Sequence, residues 1–266
     1  MQLLIGLLLG LLIAFLAYKF GALDRSGMAA AAITGGLIFG LGGLPWTIVL
    51  LFFFLSSSWL SRAFHNRKAE ISEKYAKGSR RDYGQVLANG GVGVLLVILS
   101  AIFPGYALAW YGFVGSMAAV TADTWATELG VLSSANPRLI TTWQQVERGT
   151  SGGVTVAGYL ATLSAALTVG LSAYLVSPEP SLWHYLALGA ASGLGGASID
   201  SILGSTFQGI YFCPRCQKET ESHPIHRCGT ATSWVRGLRW LNNDLVNLIC
   251  ASSGAVIAIL IYSVLT

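Results

Sequence analysis

The chain opens with an uncharged apolar run, QLLIGLLLGLLIAFLAY, at residues 2–18. A helix needs about 20 mainly apolar residues to cross the hydrocarbon core of a bilayer, so this run predicts a membrane-spanning helix. No Lys or Arg precedes it and no small-residue cleavage site follows it, whereas a cleaved signal peptide usually has both features. We therefore expect the run to be retained as the first span.

The rest of the chain has the same character. Of its 266 residues, 53% are hydrophobic and only 11% are charged, against roughly a quarter charged in an average soluble domain. The mean hydropathy is +0.61. No stretch interleaves basic residues with aromatic ones as nucleic-acid-binding surfaces do, so nucleic acid is not an expected partner.

Eight apolar stretches are candidates for spans. They lie at residues 2–20, 28–44, 46–61, 86–103, 105–122, 154–176, 182–205 and 245–265. Tight hairpins are expected at Gly43-Leu44-Pro45 and at Pro104-Gly105, because proline and glycine mark turns. The sequence thus predicts an all-α fold: a polytopic membrane helix bundle of about eight spans, forming one integral membrane domain over residues 1–266. A small cytoplasmic loop subdomain is expected at residues 206–243.

The connections between the spans alternate in charge. The short ones, 44–46, 104–105 and 177–181, have no basic residue. All 16 Lys and Arg lie in or beside the other set, which is 21–27, 62–85, 127–153 and 206–244. The positive-inside rule makes this basic set cytoplasmic. Loop 62–85 has two interpretations. It is either a solvated segment that fixes the topology or a segment that binds anionic headgroups or phosphates.

Acidic residues are few near the spans, and four gather at the cytoplasmic helix ends. They are Asp123, Glu128, Asp200 and Asp244. Ionisable residues in a membrane are costly and usually functional, so acids on three segments at one depth predict a shared site. Aligning Asp123 with Asp200 also pairs Thr121 with Ser198. This is a weak internal similarity of the kind that gene duplication produces.

Carboxylate and amide oxygens suit Mg²⁺, which usually takes one or two carboxylates plus substrate phosphates. The four acids are therefore the expected magnesium ligands, and Asn243 and Asn247 are expected neutral contacts. Asp123 and Glu128 lie about 140° apart on a regular helix, so they can share an ion only if the helix ends or unwinds between them. The alternative is interhelical hydrogen bonding and capping, because Asp and Asn also join membrane helices.

A glycine-rich segment precedes the sixth span. It consists of Gly149, Thr150, Ser151, Gly152 and Gly153, with Arg148 directly before it. Backbone N–H groups at a helix start, together with hydroxyls, make an anion cradle, and Arg148 adds a permanent donor. A plain helix N-cap explains the same residues. Arg138 is a further candidate for phosphate binding. The alternative for both Arg138 and Arg148 is that they form ion pairs with the acids.

The last cytoplasmic loop contains Cys213-Pro-Arg-Cys216, followed by His223, His226 and Cys228. Cys-x-x-Cys followed by His and Cys has the ligand types of a structural zinc site. The expected set is Cys213, Cys216, His226 and Cys228. Free or redox-active thiols are the alternative.

Five segments occur in a fixed order along the chain. They are ADTWATELG (122–130), PRLITT (137–142), GTSGGVT (149–155), DSILG (200–204) and NDLVN (243–247). This ordered set resembles the membrane family once called domain-of-unknown-function family ninety-two, which includes transmembrane protein nineteen and the phytyl-phosphate kinases of plants and cyanobacteria. The chain departs from the family pattern at Ser151, where Asn is more usual, and at 242–244, which reads Asn-Asn-Asp rather than Asp-Asn-Asn.

The resemblance implies a prenyl-phosphate kinase, which phosphorylates an isoprenyl monophosphate such as phytyl phosphate to the diphosphate for tocopherol and phylloquinone synthesis. Related phytol and dolichol kinases prefer CTP, so CTP is the expected nucleoside triphosphate. The implied partners are the nucleotide, the isoprenyl phosphate and the lipids of a cytoplasmic or thylakoid membrane.

Two other function classes fit the residues. One is another CTP-dependent lipid enzyme, either a polyprenol kinase or a cytidylyltransferase. The other is a small-molecule transporter or membrane scaffold. Transporters place acids near the bilayer midplane, whereas these acids cluster towards one end, which favours an active site that faces the membrane surface.

Overall fold

The protein is described by a computed structural model, a bundle of helices with two small sheets at one end. The structure describes residues 1–64, 77, 80–130, 132–133, 135–177 and 179–265. Most of loop 62–85 therefore lies outside the described residues. The helices are α1 (Gln2–Lys19), α2 (Arg25–Leu37), α3 (Gly43–Ala63), α4 (Tyr83–Ile102), α5 (Ala107–Gly130), α6 (Val156–Val176), α7 (Leu182–Thr206) and α8 (Asn243–Leu265). The predicted helical membrane bundle is confirmed.

Within the described residues, six helical stretches are long and apolar enough to cross a membrane. One of them, Arg25–Ala63, contains both α2 and α3, and α5 is not among the six. The position of α5 explains its more polar composition: it packs against α3, α4, α6, α7 and α8, and residues 111–122 are buried without interruption. Because its neighbours shield it from lipid, α5 does not need an apolar outer face.

The boundary between α2 and α3 lies at Gly43. A π-helical turn at Ile38–Gly42 follows α2, and Gly43 then has a φ of +73°, which breaks the helical path. Glycine adopts this conformation without the steric cost that a side chain would add. Beyond the break, α3 packs against α5 and α6, whereas α2 packs against α1 and α4.

Small residues bring α5, α6, α7 and α8 together. A Cβ built on Gly254 of α8 would lie 2.5 Å from the carbonyl oxygen of Gly115 in α5, and one on Gly193 of α7 would lie 2.4 Å from the Cβ of Ala166 in α6. Close backbone approach at small residues is how membrane helices pack tightly without a hydrophobic driving force between them. These contacts fix the relative positions of the helices that hold the predicted acids.

The strands lie in the connections at the basic end. Strands β1 (Arg138–Leu139) and β2 (Gly153–Val154) pair antiparallel between α5 and α6. Strands β3 (Ile210–Cys213), β4 (Lys218–Thr220) and β5 (Ser233–Arg236) form an antiparallel sheet of order β4-β3-β5 between α7 and α8. The Arg236 guanidinium donates to the carbonyl oxygens of Gly204 and Ser205, so this sheet is tied to the last turn of α7.

Candidate functional site

A cavity of about 790 Å³ opens where α5 and α7 end and α4 and α8 begin. Its lining has five acidic side chains, which are Asp123, Glu128, Asp200, Glu221 and Asp244. It also has five basic ones, which are Lys77, Arg81, Arg148, Arg227 and Arg239. All four acids singled out from the sequence therefore meet at one end of the bundle.

Asp123 on α5 and Asp200 on α7 form the centre of the acidic group. The negative charges of Asp123 and Glu221 both act on the Asp200 carboxylate. The Oδ2 atom of Asp200 is buried and has no hydrogen-bond partner among the described residues. A buried carboxylate oxygen beside other carboxylates is unfavourable unless a proton or a cation neutralises it, so this position is suited to accept a metal ion.

Asp244 and two asparagines approach from the first turns of α8. Asp244 forms an ion pair with Lys77, which also contacts Asp82 at 2.8 Å, and its Oδ1 atom is buried without a hydrogen-bond partner in the described part of the chain. Asn243 and Asn247 line the same cavity. Asp244 thus has a protein cation beside it, whereas Asp200 forms no ion pair within the described part of the chain.

Glu128 has different surroundings. Helix α5 runs unbroken from Ala107 to Gly130, so Glu128 and Asp123 stay about 140° apart and do not converge on one ion. Glu128 instead accepts a hydrogen bond of 2.6 Å from the Ser61 hydroxyl of α3 and attracts the Arg81 guanidinium. The unwinding that a shared ion requires is not found, and the structure assigns Glu128 to this polar contact.

Arg81 is a cation that the sequence reasoning missed. Desolvation lowers the pKa of Arg81 to about 10, although the Glu128 charge opposes that shift, so the guanidinium stays protonated at neutral pH. It also lies over the rings of Phe53 and Phe54, at 5.3 and 5.7 Å from their centroids. In the sequence Arg81 belongs to the basic loop 62–85, for which both solvation and contact with phosphates are open, and only the tertiary fold shows that this arginine is partly buried.

The glycine-rich segment 149–153 lines the cavity and packs against α7. Gly152 has a φ of +78°, and a Cβ there would lie 2.5 Å from the Ser201 carbonyl oxygen. The expected run directly into a helix is not observed, because β2 intervenes and α6 begins at Val156 with Thr155 as its N-cap. Two of its amides already donate to nearby carbonyl oxygens, that of Thr150 to Glu147 and that of Gly153 to Thr150.

The two candidate arginines have different positions. Arg148 is exposed and lines the cavity next to the glycine-rich segment. Arg138 lies in β1 and donates a 2.8 Å hydrogen bond to the Trp143 carbonyl oxygen. Arg138 is not among the residues that line the cavity within the described chain, so the phosphate-binding role remains better matched to Arg148.

Glu221, which the sequence reasoning also missed, links the glycine-rich segment to the β3–β5 sheet. Its carboxylate accepts hydrogen bonds of 2.9 Å from the Ser151 hydroxyl and from the Gln208 side-chain amide. The Gln208 side chain is 2% exposed. Ser151 therefore acts as a structural donor here, and its hydroxyl holds the segment against the loop that carries the cysteines.

A second, apolar cavity of about 270 Å³ lies between α1, α2, α3 and α4. Apart from Thr34 and Thr47, its polar lining residues are Arg81, Gln85 and Asn89, and these three also line the larger cavity. We call this second cavity the apolar groove. The groove thus adjoins the polar cavity through shared side chains and extends towards the opposite end of the bundle.

Comparison with known proteins identifies the family. The profile of the family described as "Integral membrane protein DUF92" matches residues 8–255. Protein PGR of Arabidopsis thaliana is 35% identical over 93% of this chain and 92% of its own length. An uncharacterized membrane protein of Methanocaldococcus jannaschii is 33% identical, over 99% and 96% respectively. Protein VTE6, chloroplastic, of Arabidopsis thaliana is 30% identical, over 90% and 65%. No solved structure matches the chain significantly. The chain belongs to the DUF92 family of integral membrane proteins.

Proposed function

We propose that the protein is a prenyl-phosphate kinase, which transfers the γ-phosphoryl group of a nucleoside triphosphate, with CTP as the first candidate, to an isoprenyl monophosphate such as phytyl phosphate. The observation that carries the proposal is that acidic and basic side chains line the same cavity. Carboxylates on α5, α7 and α8 line the same cavity as Arg148 and the glycine-rich segment. A metal–nucleotide complex needs carboxylates for its cation and basic groups for its phosphates, and one cavity offers both.

The residues present fit a magnesium ion. Buried oxygens of Asp200 and Asp244 have no hydrogen-bond partner among the described residues, and Asp123 acts on Asp200 from the neighbouring helix. Oxygen donors of this kind suit Mg²⁺. Asp123 and Asp200 would hold the ion and Asp244 would assist. Bound there, Mg²⁺ would neutralise charge on the donor phosphates.

Arg148 and the 149–153 segment would orient the nucleotide phosphates, while Lys77 and Arg81 offer positive charge to the lipid phosphate. In the transfer, an oxygen of the isoprenyl monophosphate bonds to the γ-phosphorus. The bond from that phosphorus to the β–γ bridging oxygen breaks, and the nucleoside diphosphate leaves with the electron pair. Because a phosphate monoester is already anionic at neutral pH, positioning and charge neutralisation suffice, and no general base is needed.

The apolar groove supports a lipid substrate. A tail in the groove would place its phosphate beside Arg81, Gln85 and Asn89, where the groove adjoins the polar cavity. Arg81 is the cation at this junction, and its stacking on Phe53 and Phe54 holds it there. The tail enters the groove from the apolar interior of the membrane and not from water, so the groove contributes fit and positioning rather than hydrophobic transfer energy.

The test is transfer of label from [γ-³²P]CTP to phytyl monophosphate by purified full-length protein in detergent. We expect labelled phytyl diphosphate, and we expect Asp123→Asn and Asp200→Asn to abolish its formation while the protein remains folded. Asp24→Asn is the matched control. Asp24 caps α2 through the Gly27 amide, lies outside the cavity lining, and Asn caps equally well.

Other outcomes would overturn the proposal. Label transfer to phytol but not to phytyl monophosphate would identify a prenol kinase. Label lost as pyrophosphate, with the cytidylyl group on the lipid, would identify a cytidylyltransferase. A folded protein that transfers no label from CTP, ATP, GTP or UTP would exclude the kinase. Near-normal turnover in both aspartate variants would exclude the proposed metal site.

A further inference from the structure

Four potential metal ligands converge in the connection between α7 and α8. Cys213 ends β3, Cys216 lies in the turn to β4, and His226 and Cys228 follow β4. Their ligand atoms all lie within 4.8 Å of one another. His226, the histidine expected from the sequence, joins the cysteines, whereas the His223 ring stacks on Tyr211 with centroids 4.5 Å apart.

Two of the separations are close to those of a tetrahedral site, and that between His226 and Cys228 is shorter. The Sγ atoms of Cys213 and Cys228 are 3.6 Å apart, and His226 Nδ1 lies 3.6 Å from Cys216 Sγ and 3.1 Å from Cys228 Sγ. Zinc bonds of about 2.3 Å to sulfur and about 2.0 Å to nitrogen place ligand atoms roughly 3.5–3.8 Å apart in a tetrahedron. A disulfide needs about 2.05 Å between sulfurs, and none of these cysteines forms one.

We propose that Cys213, Cys216, His226 and Cys228 bind one structural Zn²⁺, and that this ion holds the loop that forms one wall of the polar cavity. The ligand types support zinc, because three thiolates and one imidazole make a closed structural set with no open position. The site is therefore structural and separate from the carboxylates of the cavity.

The loop around the ligands leaves several of its apolar side chains exposed. Ile225, Trp234 and Val235 are 59%, 46% and 41% exposed, whereas His226 is 3% exposed. Segments of this size seldom bury enough apolar surface to fold by themselves and commonly use a metal ion instead. Two of the ligands, Cys213 and His226, thus belong to the small buried core of the loop, together with Ile210 and Tyr211 of β3.

Several residues that line the polar cavity lie between the metal ligands in the sequence. Between Cys216 and Cys228 lie Glu221, His223 and Arg227, all of which line the cavity. Glu221 accepts the hydrogen bonds from Ser151 and Gln208. Zinc would therefore hold Glu221 in place, and Glu221 would in turn hold the glycine-rich segment against α7.

The first experiment measures metal content. Full-length protein purified in detergent without added metal should contain about one zinc per chain, and Cys216→Ser and His226→Ala should each lose it. The matched controls are Cys250→Ala and His223→Ala, which change a buried cysteine of α8 and the histidine stacked on Tyr211. Both should retain zinc. Absence of zinc from freshly purified wild-type protein, or zinc retained in both ligand variants, would overturn the proposal.

The second experiment uses the wild-type protein, so it does not depend on whether the variants fold. Exchange with Co²⁺ should produce thiolate-to-cobalt charge-transfer absorption and the visible bands of a tetrahedral ion. Removal of the metal with a chelator should make Arg215, Lys218 and Arg227 rapid tryptic sites. A protein whose cleavage is unchanged by chelation and which gives no cobalt spectrum would have no such site. Neither readout depends on kinase activity, so the zinc site and the proposed function can fail separately.

Discussion

Gly196 of α7 lies directly against Ala119 of α5, so closely that a Cβ on Gly196 would be 2.5 Å from the Ala119 Cβ. Four residues further along each helix are Asp200 and Asp123. Because residues four apart share a helix face, the contact places both aspartates on facing surfaces one turn nearer the cavity. The glycine thus determines how closely two carboxylates approach each other.

This contact makes Gly196→Ala a test of the spacing. The new methyl group would push α7 from α5, because backbone and Cβ atoms of α5 and α8 surround the site. We expect phosphoryl transfer to fall by roughly 10–100-fold, since displacement of about 1 Å has such effects on positioned groups. The assay is kcat/KM for transfer together with the magnesium concentration at half-maximal rate, which should rise.

The matched control for this variant is Gly91→Ala in α4. A Cβ at Gly91 meets nothing within 4 Å, so transfer should stay within about twofold of the wild type. Equal rates for Gly196→Ala and the wild type would mean that the close contact does not set the geometry of the site.

Gly152 allows a separate prediction about the glycine-rich segment. Gly152→Ala combines a strained φ of +78° with a clash against Ser201 and Ser205, so the segment should move away from α7. We expect a KM for the nucleotide at least about tenfold higher, with a smaller effect on the KM for the lipid. Gly105→Ala is the control for strain alone, because Gly105 has a φ of +89° and open space around it. A nucleotide KM unchanged in Gly152→Ala would contradict a phosphate-binding role for this segment.

The helical bundle is predictable from the sequence because apolar composition over about 20 residues is a local property. Residues 2–18 and the turn at Pro104-Gly105 need no tertiary information, and α4 does end at Ile102 with α5 beginning at Ala107. Apolar composition is the least reliable indicator for α5. This helix is surrounded by other helices and so carries fewer lipid-facing apolar residues, although it is the most central helix of the bundle.

The site was predictable only where residue type is informative by itself. Asp123 and Asp200 stand out because an acid near a membrane span is rare. Arg81 and Glu221 do not stand out, because they belong to polar connections in which charged residues are ordinary. Their roles depend on contacts over long sequence separations, such as the hydrogen bond from Ser151 to Glu221, and one sequence contains no signal for such pairs.

The orientation of the bundle in its membrane remains a prediction from the positive-inside rule. Tyr106→Cys places a thiol in the turn between α4 and α5, where the tyrosine is 48% exposed, and an impermeant maleimide should label it in intact cells. Thr142→Cys, at an exposed position of the basic connection, should be labelled only after lysis. The reverse pattern would invert the topology. The native cysteines are kept, so that the cysteine-containing loop is not disturbed.

If the lipid tail binds in the apolar groove, a variant that fills the groove should alter lipid preference. Gly35 lines the groove, and a Cβ built there meets nothing within 4 Å, so Gly35→Leu should fill the groove without displacing a helix. We expect the KM for phytyl monophosphate to rise about tenfold or more, because a leucine occupies the space of several buried CH₂ groups, while turnover of a five-carbon isoprenyl phosphate is retained. Gly91→Leu, which also enters open space but outside the groove lining, should change neither. Equal loss with both substrates in Gly35→Leu would indicate a folding defect, and unchanged kinetics with both would exclude the groove as the tail site.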